Sequence, residues 1–447
     1  MNNLKVTALS LVVATAIGFT GCGGGSSSST PAATTTPTTT PVAVVDGTLV
    51  KTAYDYFVKD NKIDITSTGS VAYNTKTAVS GVDETKIWKG KAGSNDPIED
   101  YTYTKTTGYS SPCTARNIDI NLSSDITTNM TLDPTKVYGI NGRVRVKNGA
   151  VITAPAGTTF AGATPSSFMV FTAGTKLIAN GTLAKPIVFT SNKDLECKSA
   201  DNLAGEWGGL VLVGTAYAHY SNNTYEADPS IAFGSTNHTH DTDSSGSLKY
   251  VAVKHSGFAV QKDKELNGLS LAGVGSGTTI ENIAIIGGFD DGIEIWGGTV
   301  NLTNVYVYNA QDDSTDTDLG YRGKFTNVLA RQVNVDKTNN HDSSCMEFGN
   351  DQNTITTDDS NATQPDVTNY TCYAKGGGLY NKYDAGFIWN NVKFVSDKTV
   401  DFEQVHFRGA DSYDSGAKHI TGPVSFYDSK VVLTKENTYS RKNSKAQ

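Results

Sequence analysis

The sequence predicts an all-β chain wound as a single-stranded parallel β-helix, or solenoid, with a cap at each end. Three observations carry this. Short apolar runs recur in a fixed register, Gly- and Asn-containing turns separate them, and no stretch shows helical periodicity. The register is clearest where Ile280-Glu-Asn-Ile-Ala-Ile-Ile-Gly-Gly-Phe-Asp290-Asp291-Gly-Ile-Glu294 lies over Leu302-Thr-Asn-Val-Tyr-Val-Tyr-Asn-Ala-Gln-Asp312-Asp313-Ser-Thr-Asp316, with every matched position 22 residues apart. Leu248 fits 32 residues before Ile280, and Phe325 fits 23 residues after Leu302. One such unit cannot bury its apolar side alone, so successive units stack and share a core. A β-sandwich would need no such register.

Residues 1–21 are an export signal rather than fold. Lys5 gives a positive start, and Val6 to Phe19 gives an apolar run too short to span a bilayer. The run ends Phe19-Thr-Gly-Cys22, which resembles the lipobox of bacterial lipoproteins, with Phe19 where Leu is usual. The resemblance implies lipidation at Cys22. The Gly after Cys22 is similar to lipoproteins sorted to the outer membrane, on either of its faces. An ordinary secretory signal followed by an incidental Cys is the alternative. Residues 22–45 pass from a Gly-Ser run into Thr-Pro repeats, a composition that builds no core and acts as a tether.

Residues 46–115 hold strand-like pieces without a register and are expected to cap the open end of the solenoid, or to form a small domain of their own. An uncapped end leaves a strand edge free to pair with other chains. The β-helix proper is expected over 116–374. Val137 to Gly162, Phe168 to Thr190 and Gly205 to Gly214 read as its first coils, with Gly and Asn-Gly at the corners where positive φ is needed. Residues 375–447 lose the register after Gly376-Gly-Gly378 and are expected to form the C-terminal strands and cap.

Composition fits this class. There are 44 Gly residues and 37% apolar residues, which suits many turns around a narrow core. The net charge of −8 argues against nucleic acid and for cations or neutral glycans. After Cys22 four cysteines remain, an even number in an exported chain, and read as two disulfides. Three pairings are possible. Cys113–Cys197 and Cys345–Cys372 are favoured because each falls within one half of the chain. A four-thiolate metal site is the alternative, without Cys-x-x-Cys spacing to support it.

The charge pattern supplies the candidate site. From Glu265 to Tyr321 there is no Lys or Arg, and nine acids: Glu265, Glu281, Asp290, Asp291, Glu294, Asp312, Asp313, Asp316 and Asp318. Stacked strands lie about 4.8 Å apart, and two ionised carboxylates at that distance repel by about 3 kcal/mol at an effective dielectric near 20. A cation, shared protons or full solvation must relieve this. Oxygen ligands without His or Cys suit a hard ion, Ca2+ before Mg2+. The candidate ligands are Asp290, Asp291, Glu294, Asp312, Asp313, Asp316 and Asp318. The plainer alternative is that they line a solvated corner and bind nothing.

Several motifs together are similar to a family of bacterial secreted or surface right-handed β-helix proteins with a pectin-lyase-like fold, many of them lipoproteins of unassigned activity. They are Lys185-Pro-Ile-Val-Phe-Thr190, Gly205-Glu-Trp-Gly-Gly-Leu210, Asn267-Gly-Leu-Ser-Leu-Ala-Gly273, Asp290-Asp-Gly-Ile-Glu-Ile-Trp-Gly-Gly298, Gly320-Tyr-Arg-Gly323 and Phe407-Arg-Gly-Ala410. The resemblance implies a fold and an exported location, not a reaction. Right-handed β-helices often cleave polyuronides. By that analogy Asp290, Asp291, Asp312 and Asp313 are candidate catalytic acids, with Arg322 and Lys324 to hold a substrate carboxylate. Against it, the Gly-His-Gly element of polygalacturonase-like enzymes and the Arg-rich motif of pectate lyases are missing. Arg322 and Arg331 are the only nearby candidates for a proton-abstracting Arg. A lipid-anchored rod that contacts a polysaccharide or a surface protein, as in adhesion, needs less.

Three other features weigh less. Thr236-Asn-His238-Thr-His240-Asp241-Thr-Asp243 lies in a polar insertion, 217–247, and is either a transition-metal site or a solvated loop. Trp207 and Trp296 beside Gly-Gly are expected to pack corners rather than stack on sugars. The acids from Asp342 to Glu347 and from Asp351 to Asp359 are expected to be solvated.

Overall fold

Two ladders of parallel strands, one of long strands and one of short, wind together around a single apolar interior. In this computed structural model the described residues are 82–94, 113–199, 204–261, 264–333, 343–349, 363, 365–374 and 388–396. Four further regions, 42–49, 377–382, 405–408 and 424–436, are described as strands only. Residues 1–41, with Cys22, lie outside them.

The long ladder runs through Gly246–Ser256, Thr279–Gly288, Asn301–Ala310, Lys324–Arg331, Asp366–Ala374 and Ile388–Ser396. Leu248 pairs with Ile280, Ile280 with Leu302 and Leu302 with Phe325, so the expected register holds. The short ladder runs through Gly209–Val213, Leu269–Ala272, Ile293–Trp296, Thr315–Asp318 and Ser344–Phe348. Its neighbours are all parallel. This is a parallel β-helix. Inside, Leu248, Ile280, Leu302, Phe325 and Val367 face Leu269, Ile293 and Met346 in one continuous core.

The corner of the long strands has a specific chemistry. In the first coils it is a loop: 155–158 between Val151–Ala154 and Thr159–Gly162, then 181–186 between Lys176–Asn180 and Ile187–Ser191. From Gly246 onward the two strands fuse, and one left-handed residue makes the bend. Tyr250 takes φ 49°, then Asn282, Asn304, Asn327, Asn369 and Asn391 take 55–61°. Asn tolerates this region where most side chains do not. The stacked amides also bond along the axis: Asn304 Nδ2 donates to Asn282 Oδ1 at 3.1 Å, Asn327 to Asn304 at 2.9 Å and Asn391 to Asn369 at 2.8 Å.

Two expected boundaries need correction. The coils do not stop at 374. Gly377–Lys382, Val405–Arg408 and Val432–Glu436 extend the short ladder, and Ile388–Ser396 and Val424–Tyr427 the long one, all in parallel register. The Gly run and the long insertions hid this continuation. Of 46–115, the described stretch 82–94 covers a flank rather than an open end. Val82, Ile87 and Trp88 pack on Ala252, Ala284, Ile286 and Tyr306, outward residues of the long ladder. Trp88 meets Tyr250 edge-on at 5.7 Å, Lys89 Nζ sits 4.6 Å over the Tyr306 ring, and Asp83 N–H donates to Asn327 Oδ1. The strand Val42–Val45, expected within the tether, pairs antiparallel with Val432–Glu436.

Both expected disulfides are present. Cys113–Cys197 ties the first coil to the turn after Asn192–Leu195, and Cys345–Cys372 links the two ladders inside the core.

Candidate metal centre

The site grows from strand alternation. In each short strand the first and third residues point inward: Leu269 and Leu271, Ile293 and Ile295, Thr315 and Thr317, then Met346 and Phe348. Period two sends the residue between them outward. Those residues are Ser270, Glu294, Asp316 and Glu347, neighbours in register on adjacent strands. Three carboxylates are therefore stacked rung above rung, each at most 4% exposed.

A second column forms in the turns just before these strands. Asp291 N–H donates to Asn267 Oδ1 at 3.1 Å, Asp313 N–H to Asp291 Oδ1 at 2.9 Å, and Ser344 N–H to Asp313 Oδ1. Asn267, Asp291 and Asp313 thus hold one structural post on three coils, each accepting the backbone N–H of the coil that follows. Asn267 Nδ2 also donates to Glu294 Oε2 at 2.5 Å, which joins the columns.

Among the described residues the acids gather into three overlapping groups. They are Asp290, Asp291 and Asp312; Asp291, Glu294 and Asp316; and Asp313, Asp316 and Glu347. In each, one ligand oxygen per residue lies within 4.8 Å of the others. The expected vertical neighbours Asp290 and Asp312 are thus brought together. Burial pushes Asp290, Asp291, Glu294 and Asp313 well above the usual carboxylate range. Neighbouring charge adds to it, Asp312 on Asp290, Asp290 on Asp291, Glu226 on Glu294, and Glu347 on Asp313. Oε1 of Glu294 is buried with no hydrogen-bond partner. A buried oxygen left so is costly unless a proton or cation satisfies it.

Six of the seven expected metal ligands enter these groups. Asp318 enters none of them. It lies two residues beyond Asp316, beside Trp296 in register, and its Oδ1 accepts the Leu319 N–H at 2.6 Å. Glu347 was expected to be solvated and is instead 3% exposed inside the row. Its signal was the alternation Cys345-Met-Glu-Phe348, like Ile293-Glu-Ile295. A loop between Arg331 and Ser344 puts it 31 residues after Asp316 and breaks the 22-residue pattern. Asn267 was missed as well, because an amide carries no charge to notice.

The basic candidates are placed differently from the expectation. Lys324 pairs with Asp366 at 2.7 Å, its register neighbour on the long ladder. The guanidinium of Arg331 lies 5.3 Å from the Tyr373 ring, on the outward flank of that ladder. Arg322 follows Asp318, past the far end of the strand from Asp312 and Asp313, with its N–H on Gly298 O.

The His-rich loop is a staple. Asp243 Oδ2 accepts from Thr215 N–H and Oγ1, Asp241 Oδ1 accepts from Tyr217 N–H, and His238 Nδ1 lies 2.7 Å from Asp241 Oδ2. Its two acids are spent on backbone, and His238 stacks on Tyr217 at 4.4 Å. Trp207 is fully buried and donates to Lys254 O at 2.7 Å; Trp296 packs edge-on against Tyr225 at 5.5 Å. Both fill corners, as expected.

No curated protein and no solved structure matches the chain. Residues 124–444 match the family model described as a pectate-lyase-like β-helix domain. The match begins in the first coil and ends beyond the last strand, over the same span in which the two ladders run. On that match the chain belongs to the pectate-lyase-like β-helix family.

Proposed function

We propose that this protein is a surface module, lipid-anchored through Cys22 to the bacterial outer membrane, whose β-helix is rigidified by Ca2+ in the acid row. Its exposed walls serve adhesion to a glycan or protein partner. The observation that supports the cation is Glu294 Oε1, a buried carboxylate oxygen without a hydrogen-bond partner, within the group Asp291, Glu294 and Asp316. The donors are all oxygens, which fits a hard ion. Ca2+ accepts six to eight oxygens in flexible geometry, so carboxylates fixed by strand register suit it better than Mg2+, which demands a near-ideal octahedron. The anchor is supported by the sequence of residues 1–45.

The test is thermal melting of the purified domain with Ca2+ and with chelator. A midpoint that rises with Ca2+ in the wild type, and not in Glu294→Gln, is the expected result; identical midpoints would remove the cation. Membrane fractionation of Cys22→Ser against wild type tests the anchor.

A second reading is cleavage of an acidic polysaccharide. It is supported by the family match and by Asp290, which is half-buried and held protonated more readily than an ordinary Asp. Such a carboxyl can protonate a leaving oxygen while a second carboxylate activates water. Incubation with pectin and alginate, assayed for reducing ends and unsaturated products, decides it. Activity lost in Asp290→Asn supports the enzyme; no product from any polyuronide leaves the binding module.

A further inference from the structure

We infer that the acid row takes two hard divalent cations side by side, the second held by Asp313, Asp316 and Glu347. This rests on the reading of Asp291, Glu294 and Asp316 as a Ca2+ site and extends it by one rung. The two groups share Asp316 and are otherwise distinct. They repeat each other one coil apart. Asp291 and Asp313 occupy the same structural post, and Glu294 and Glu347 flank Asp316 in register on either side.

Charge gives the reason for a second ion. One divalent cation among Asp291, Glu294 and Asp316 answers the charge of the first group only. Asp313 and Glu347, each 3% exposed, stay packed beside Asp316 with two further carboxylates to satisfy. The Glu294 oxygen without a partner independently marks the row as built around something it does not itself contain. With Asp316 bridging, each ion meets three carboxylates.

Native mass spectrometry of the full domain across a Ca2+ titration tests this. Two ions per chain are expected for the wild type and one for Glu347→Gln. Asp313→Asn is expected to drop to one as well. It keeps an amide oxygen for the Ser344 N–H, as Asn267 does for Asp291, so the turn stays formed. Asp316→Asn is expected to lose both. Loading with Tb3+ and Eu3+ together adds a distance readout, because adjacent ions transfer energy and remote ones do not. A wild type that saturates at one ion overturns the second site and leaves the first standing. Two ions that persist in both Glu347→Gln and Asp313→Asn place the second ion elsewhere and overturn the proposal. No bound ion overturns both readings.

Discussion

The N–H of Asp313 donates to Oδ1 of Asp291 at 2.9 Å, although the two residues are 22 apart in sequence. Asp291 therefore has two duties on one side chain: an acceptor for the backbone of the next coil, and a charge in the acid row. The duties can be separated. Asp291→Asn keeps an acceptor and removes the charge. Asp291→Ala removes both and leaves a buried N–H unsatisfied, at about 1–3 kcal/mol. In chelator, the Asn variant is expected to melt at or above the wild type and the Ala variant below it. Calorimetry of the three proteins checks the order; equal losses in both variants would assign the whole effect to packing.

Stability of the cation-free protein should fall as pH rises. Asp290, Asp291, Glu294 and Asp313 are raised by burial and by one another, so the folded state holds their protons more tightly than the unfolded chain does. The penalty begins near the unfolded value of about 4 and grows as pH climbs through the raised folded values. Melting in chelator is expected to give a higher midpoint at about pH 5 than at about pH 8. Added Ca2+ should flatten the difference. A midpoint in chelator that rises over this range would contradict the burial of these groups.

The Asn corner makes a prediction about backbone rather than charge. Asn304 holds φ 55° and bonds to Asn282 and Asn327. Asn304→Gly keeps the left-handed bend and loses the amide bonds. Asn304→Ala loses both and adds about 1–2 kcal/mol of left-handed strain. Urea denaturation should rank wild type above Gly above Ala, and Ala above Gly would refute the corner's conformational role.

Trp88 carries much of the apolar contact between residues 82–94 and the long ladder. It is fully buried, meets Tyr250, and donates to Lys91 O at 2.7 Å. Trp88→Ala is expected to cost about 3–5 kcal/mol. Hydrogen exchange should show the loss at Ala252, Ala284 and Tyr306, whose outward faces the segment covers.

The fold was legible because it rests on residues that repeat. Ile280, Leu302 and Phe325 announce a ladder by spacing alone, and Asp290 over Asp312 places the acids. What stayed hidden does not repeat at 22. Glu347 falls behind an irregular loop, and the coils beyond 374 follow a Gly run and an insertion. The Asn column was in plain sight at Asn282, Asn304 and Asn327. Its meaning is a backbone angle, which hydrophobic patterning does not report. Asp318 shows the opposite failure, since charge and spacing suited the row but the strand had already carried it past. The packing of residues 82–94 had no repeat and no charge pattern to reveal it.

That segment changes how the solenoid comes apart. A stack of repeats ordinarily frays from its ends, because each coil is held by its two neighbours alone. Asp83 bonds to Asn327, Lys89 covers Tyr306, Trp88 meets Tyr250, and Gly93 N–H donates to Leu183 O at 2.6 Å. One short piece of chain thus sutures four coils lengthwise. None of them can peel away singly while it is in place, so this portion of the rod should melt in a single cooperative step.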